Sequence, residues 1–144
     1  KARRSISAAI LKLGPTKINE DVTVPRSRVP DLIQGISELA EKYDLPIVCF
    51  GHAGDGNIHV NIMADRRNPE QMARAAQAVD DVFSLTLKLE GSISGEHGIG
   101  ITKAQYMPWE TGQVAIDVMR RIKRALDPNN ILNPGKMLLD AAHS

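Results

Sequence analysis

Aromatic side chains are scarce in this chain, with one Trp, two Tyr and two Phe among 144 residues. That leaves no stacking platform for the bases of a single strand. A dominant charge is missing too: 18 Lys and Arg face 17 Asp and Glu, a formal net charge of +1. Nothing in the bulk electrostatics commits the chain to a polyanion or a lipid surface, and no nucleic-acid partner is expected. The one basic run, "MRRIKR" at 119–124, falls in the last turns of an expected helix, where cations suit the dipole, and reads as a solvated face. Cys49 is the single cysteine, so no disulfide forms within the chain and a reducing, cytoplasmic setting is expected. Its apolar surroundings in "PIVCF" make it a buried structural thiol rather than a nucleophile. No apolar run approaches the roughly 20 residues of a membrane span, and no signal-peptide pattern opens the chain. An initiator Met is lacking, as is an N-cap ahead of "KARRSISAAILKLG", which suggests a piece of something longer.

What is present reads as one module spanning 1–144, long enough to bury a core without staples. Residues 3–13 have helical spacing, with Ile6, Ala9 and Ile10 on one face and Gly14-Pro15 as the stop. "TKINEDVTVP" alternates through Ile18, Glu20 and Val22 as a strand does, and Pro25 ends it. "VPDLIQGISELAEKY" carries Leu32, Ile33, Ile36, Leu39 and Ala40 at helical spacing, and "PIVCFGHAGDGNIHVNIMA" reads as a hairpin. Next, "NPEQMARAAQAVDDVFSLTLKLEG" has Asn68 as N-cap, Pro69 at the first helical position and Gly91 as stop. Its apolar stripe is Met72, Ala75, Ala76, Val79 and Phe83. A glycine-rich loop leads to a helix over about 108–126, predicted to bury Ala115, Val118, Met119, Ile122 and Leu126, and "LDPNNILNPGKML" closes the chain as a turn-rich tail. This order makes an α+β unit, a largely antiparallel sheet covered by helices on one face.

Two of the four histidines, His52 and His59, flank a glycine-rich turn in "CFGHAGDGNIHVNIM". If the turn centres on Asp55, they lie almost opposite each other, where facing β-carbons are about 5 Å apart and can share a ligand. Alternation puts His59 and Asn61 on one face and Ile58, Val60 and Ile62 on the other, so the polar face is not expected to be the core face. Gly51, Gly54 and Gly56 would permit positive φ and let another group come close to the backbone. Two neutral imidazoles and a carboxylate are a recurring catalytic metal set, because borderline cations accept nitrogen and oxygen and keep a position open for substrate. The carboxylate is Asp55 or Glu96. Asp is common at turn tips for its own reasons, and Glu96 lies in the loop "SGEHGIG", so Glu96 is preferred. The residues alone leave open whether the histidines bind a metal or simply hydrogen-bond on the sheet. Templates for a dinucleotide fold, a phosphate loop, a calcium loop, an HExxH helix and a serine elbow all fail, leaving His52, His59, Glu96 and His97 to carry any chemistry.

Taken together, "EDVTVPRSRVPDL", "GHAGDGNIHVNI", "SGEHGIGITK" and "LDPNNILNPGKML" closely resemble the C-terminal domain of FAD-linked oxidases. That family includes the glycolate oxidase D subunit, D-lactate dehydrogenase and D-2-hydroxyglutarate dehydrogenase. The resemblance covers essentially the whole chain and implies a substrate or cap domain packing over FAD that is held mainly by a separate N-terminal domain, absent here. It implies metal ligation by His52, His59 and Glu96 of a divalent ion, Zn or Mn, with His97 as the base. Asn61 matches a polar residue beside the substrate, Arg3 an arginine on the substrate carboxylate, Ser7 a threonine of some members, and Asn133 a cofactor contact. Arg4, adjacent to Arg3, leaves that register open. Some members carry a lysine two residues before the aspartate of the "DVTVP" motif; here that position is Asn19, and the nearest lysine is Lys17.

The implied activity is oxidation of a D-2-hydroxy acid such as glycolate or D-lactate to the 2-oxo acid, with hydride transfer to FAD. The implied partners are the small acid, the flavin domain of the same chain, and further oxidase subunits or a second copy, through which the protein could also associate with a membrane. Two rivals use the same residues: a stand-alone metal-dependent hydrolase, and a non-catalytic assembly module of a multi-subunit oxidase.

Overall fold

The computed structural model describes residues 9–52 and 54–137. These residues separate between Glu96 and His97 into two compact units.

The first unit contains strand β1 (Thr16–Thr23), helix α1 (Val29–Tyr43), the hairpin strands β2 (Ile47–His52) and β3 (Asn57–Ala64), and helix α2 (Pro69–Lys88). The three strands form an antiparallel sheet in the order β1-β3-β2. The two helices pack against the sheet and against each other, the α+β arrangement that the alternation and helical spacing predict. Of the expected first helix, residues 9 and 10 are helical with Ile10 buried, and 3–8 lie outside the described residues.

The core follows from the two periodicities. Val22, Ile58, Val60 and Ile62 share one sheet face by register and are buried. Leu32 and Ile36 from α1 are buried as well, as are Ala75, Ala78, Val79, Val82 and Phe83 from α2. Two residues of the expected stripes depart: Ala76 and Ile33 are exposed. For α2 the buried face is instead completed by Ala78, Val82 and Thr86. Its start is as predicted, with Pro69 at the first helical position and the Asn68 side chain accepting from the backbone N–H of Glu70 and of Gln71, both at 3.1 Å. Its end differs in detail, since Glu90 rather than Gly91 takes the positive φ.

In the second unit the expected single helix over 108–126 is two helices, α3 (Met107–Glu110) and α4 (Gln113–Leu126). Thr111 and Gly112 are extended and break the ladder between them. The predicted buried stripe of α4 is a correction too: Ile116 is its one buried residue among those described, Met119 is half-buried, and Ala115, Val118, Ile122 and Leu126 are exposed. Helical spacing identifies an apolar face but not whether anything covers it. The tail folds around Asp127, whose carboxylate accepts from the N–H of Ile131 at 3.0 Å and of Leu132 at 2.9 Å and pairs with Lys123. No helix among the described residues is long and apolar enough to cross a membrane.

Candidate metal centre

The hairpin register places the histidines. His52 is paired with Asn57 and Phe50 with His59, with the Gly51–Ile58 pair between, so the two histidines lie diagonally and not opposite each other. Residues 54–56 form the turn, and the His52 carbonyl accepts from the N–H of Asp55 at 2.9 Å and of Gly56 at 3.0 Å. That centres the turn one residue earlier than the expected pairing required. Both imidazoles still project from the same face, because diagonal neighbours keep the parity of the pleat. Their ring centroids are 6.1 Å apart, edge to face.

Glu96 comes to this pair from the end of the loop after α2. Its Oε1 lies 3.2 Å from His59 Nε2, and one ligating atom from each of His52, His59 and Glu96 falls within 4.8 Å of the others. The geometry therefore favours Glu96 over Asp55, which is exposed at the turn tip. Two imidazole nitrogens and a carboxylate oxygen are the donor set that a borderline divalent cation accepts, so these residues fit a metal ion. His59 is largely shielded while Glu96 is more than half exposed, which leaves one side open to an incoming ligand.

The polar face is more closed than alternation suggested. β3 is the central strand, and Asn57, Asn61 and Met63 on the histidine side are as buried as the residues of the opposite face. Asn61 Nδ2 donates to the Val48 carbonyl at 3.0 Å, whereas Asn61 Oδ1 and Asn57 Oδ1 find no hydrogen-bond partner among the described residues. Such orphaned buried oxygens are uncommon and call for an explanation. The turn glycines also act differently from expectation. Gly56, at φ +75°, is held against the chain's own backbone, where a β-carbon would sit 2.0 Å from the Val24 carbonyl oxygen, and Gly54 meets nothing within 4 Å. The close approach at Gly56 is thus internal.

Among the described residues, the group of possible metal ligands is His52, His59 and Glu96. His97 is exposed and opens the second unit. Asn133 is exposed in the tail, with φ 49°. Arg3 and Ser7 lie outside the described residues. Lys17 is exposed, and Asn19 pairs in register with Asn61. Burial pushes the Cys49 thiol up to about 11, which suits an inert side chain. One residue beside the cluster was missed: Asp21, fully buried, lies directly across from His59 in the β1–β3 register. The signal was available, since Asn19, Asp21 and Thr23 form the second face of the same alternating strand.

The chain belongs to the family of FAD linked oxidases, C-terminal domain, which it matches over residues 1–137. It is 48% identical over 136 residues to the glycolate oxidase subunit GlcD of Bacillus subtilis, covering 94% of this chain and 29% of that protein. It is 37% identical over 141 residues to the D-2-hydroxyglutarate dehydrogenase of Stutzerimonas stutzeri, covering 95% of this chain and 30% of the relative. The chain thus spans under a third of the length of these relatives. Among solved structures, a p-cresol methylhydroxylase with substrate bound matches with a TM-score of 0.68 at 24% identity, over 88% of this chain and 25% of that one. At that identity the likeness speaks for the fold alone.

Proposed function

We propose that this chain is the substrate domain of a flavin-dependent oxidoreductase that oxidises a D-2-hydroxy acid to the 2-oxo acid, and that His52, His59 and Glu96 hold a divalent ion, Zn or Mn. The reading rests on one observation above the others, the convergence of two imidazoles and a carboxylate within 4.8 Å. It is supported by the family and by the names of its members, a glycolate oxidase subunit and a D-2-hydroxyglutarate dehydrogenase. When bound, the ion supplies a Lewis acid that lowers the pKa of a substrate hydroxyl. FAD, held mainly by a separate domain of the full-length chain, supplies the hydride acceptor.

The chain's own residues do the rest. His52 and His59 are presented from the same face of paired strands, so the register sets their spacing. Asn61, whose buried side-chain oxygen has no partner among the described residues, is assigned to the place beside the substrate. His97 follows Glu96 directly in a bend of the loop; the Glu96 carboxylate is the one grouped with the two imidazoles, so Glu96 takes the ligand role and His97 is assigned the hydroxyl proton. Arg3 and Ser7 are assigned to the substrate carboxylate and its surroundings, and Asn133 to the cofactor. We place the enzyme in the cytoplasm, with further oxidase subunits or a second copy as possible associates.

Metal analysis of the full-length protein, together with flavin reduction by a panel of D- and L-2-hydroxy acids, tests the proposal. One ion per chain and reduction by D-acids alone is the expected result. Reduction with no metal bound would remove the ion from the reading, and metal without any flavin chemistry would favour the hydrolase or the assembly module.

A further inference from the structure

Glu96 is exposed and sits at the end of a loop, a poor place from which to hold a ligand in position unless the backbone beneath it is fixed. It is fixed at several points. Ser92 pairs with Thr23 of β1 through two backbone hydrogen bonds, Thr23 N–H to the Ser92 carbonyl at 3.1 Å and Ser92 N–H to the Thr23 carbonyl at 2.8 Å. Ile93 is fully buried. Gly95 lies on the Asn57 side chain so closely that a β-carbon there would be 2.5 Å from Asn57 Oδ1. The last tie reaches Glu96 itself: its backbone N–H donates to Asp21 Oδ2 at 2.5 Å. Asp21 is fully buried and stands opposite His59 in the sheet register.

We propose that Asp21 is a positioning residue for the metal centre, its carboxylate holding the Glu96 backbone so that the Glu96 side chain is delivered to His52 and His59. The inference rests on the metal reading above and adds a residue to it. A buried carboxylate facing an imidazole across a strand pair is costly to keep unless it is used, and here its oxygen is spent on the one amide that sets the direction of the third ligand. Groups that orient metal ligands affect affinity strongly although they never touch the ion.

The test uses the full-length protein with Zn2+ alone as the probe, its affinity measured by competition with a chromophoric chelator on folded, metal-stripped samples. Asp21→Ala is expected to weaken Zn2+ binding by about 10- to 100-fold, the usual effect of losing such a supporting partner. Asp21→Asn keeps an oxygen that can accept from the same N–H and should stay close to the parent; a merely structural role would not separate the two. Gly95→Ala presses the loop off Asn57 from its exposed side and should also weaken binding, which keeps the idea testable if Asp21→Ala does not fold. Parent protein that binds no Zn2+ overturns the metal reading and this inference with it. A parent that binds tightly, with Asp21→Ala or Gly95→Ala unchanged, or with Asp21→Asn as weak as Asp21→Ala, overturns the role of Asp21 alone.

Discussion

His52 and His59 sit diagonally across the hairpin, His52 paired with Asn57 and His59 with Phe50, with both rings on one face of the sheet. A diagonal pair is separated by two residues along the strand as well as by the gap between strands, and a third donor is needed on the same side to close it into a site. On the proposed reading Glu96 is that donor, since its carboxylate lies within 4.8 Å of both imidazoles.

His52→Ala, His59→Ala and Glu96→Ala in the full-length protein are each expected to remove most of the bound metal, because a three-ligand site rarely survives the loss of one. Asp55→Ala should keep it. Metal content by atomic emission decides, and full occupancy in all three ligand variants would end the assignment.

His97→Ala should retain the metal while slowing flavin reduction roughly a hundredfold to ten-thousandfold, the range for one positioned acid-base group. Single-turnover reduction across pH is the measurement. An unchanged rate in the metal-replete variant would remove His97 from the mechanism.

Cys49 should resist alkylation. With the thiol pushed up to about 11 by burial, on the order of one thiol in a thousand is ionised at pH 8. Iodoacetamide labelling followed by mass spectrometry should therefore be slow in the folded protein and rapid in urea. Fast labelling of the folded protein would contradict the burial argument.

For stability, Phe83→Ala should cost about 3–5 kcal/mol, since the ring is fully buried in α2. Asn68→Ala removes the acceptor for two N–H groups and should cost about 1 kcal/mol. Ile122→Ala, on the exposed face of α4, should cost much less than Phe83→Ala in this chain. Urea unfolding compares the three, and equal effects at residues 83 and 122 would mean that the α4 face is covered in solution.

Asp127 links the tail to pH. Its partnership with Lys123, aided by the N–H groups of Leu132 and Ile131, holds its pKa below the ordinary carboxylate value. A depressed folded-state pKa stabilises above the unfolded value, near 3.9, and that contribution is lost as pH falls through the folded-state value. Hydrogen exchange at Ile131 and Leu132 should stay protected at pH 6 and lose protection on acidification below about pH 4. In Asp127→Asn that pH dependence should vanish.

The sheet, both long helices and the Asn68 cap were legible in the sequence because each depends on local spacing or on a single side chain. The histidine pair was legible as a same-face pair, but its register was not, since a shift of one residue in the turn moves every pairing by two. Burial was the weakest reading. Val118, Ile122 and Leu126 carry helical spacing as clear as that of α2, yet they are exposed. Asn57 and Asn61 look solvent-facing by alternation, yet they are closed off because β3 is central. Alternation put Asp21 on one face of its strand with Asn19 and Thr23, but its partner, the backbone amide of Glu96 75 residues away, was not legible from spacing.

The Glu96 backbone is tied through Asp21 to β1, an edge strand, while its side chain reaches His59 on the hairpin. Peeling β1 away would take the carboxylate with it and leave two imidazoles on an intact hairpin. On the proposed reading, the lifetime of the bound ion is governed by the opening of one edge strand rather than by unfolding of the domain, so metal release becomes a clock for local fraying.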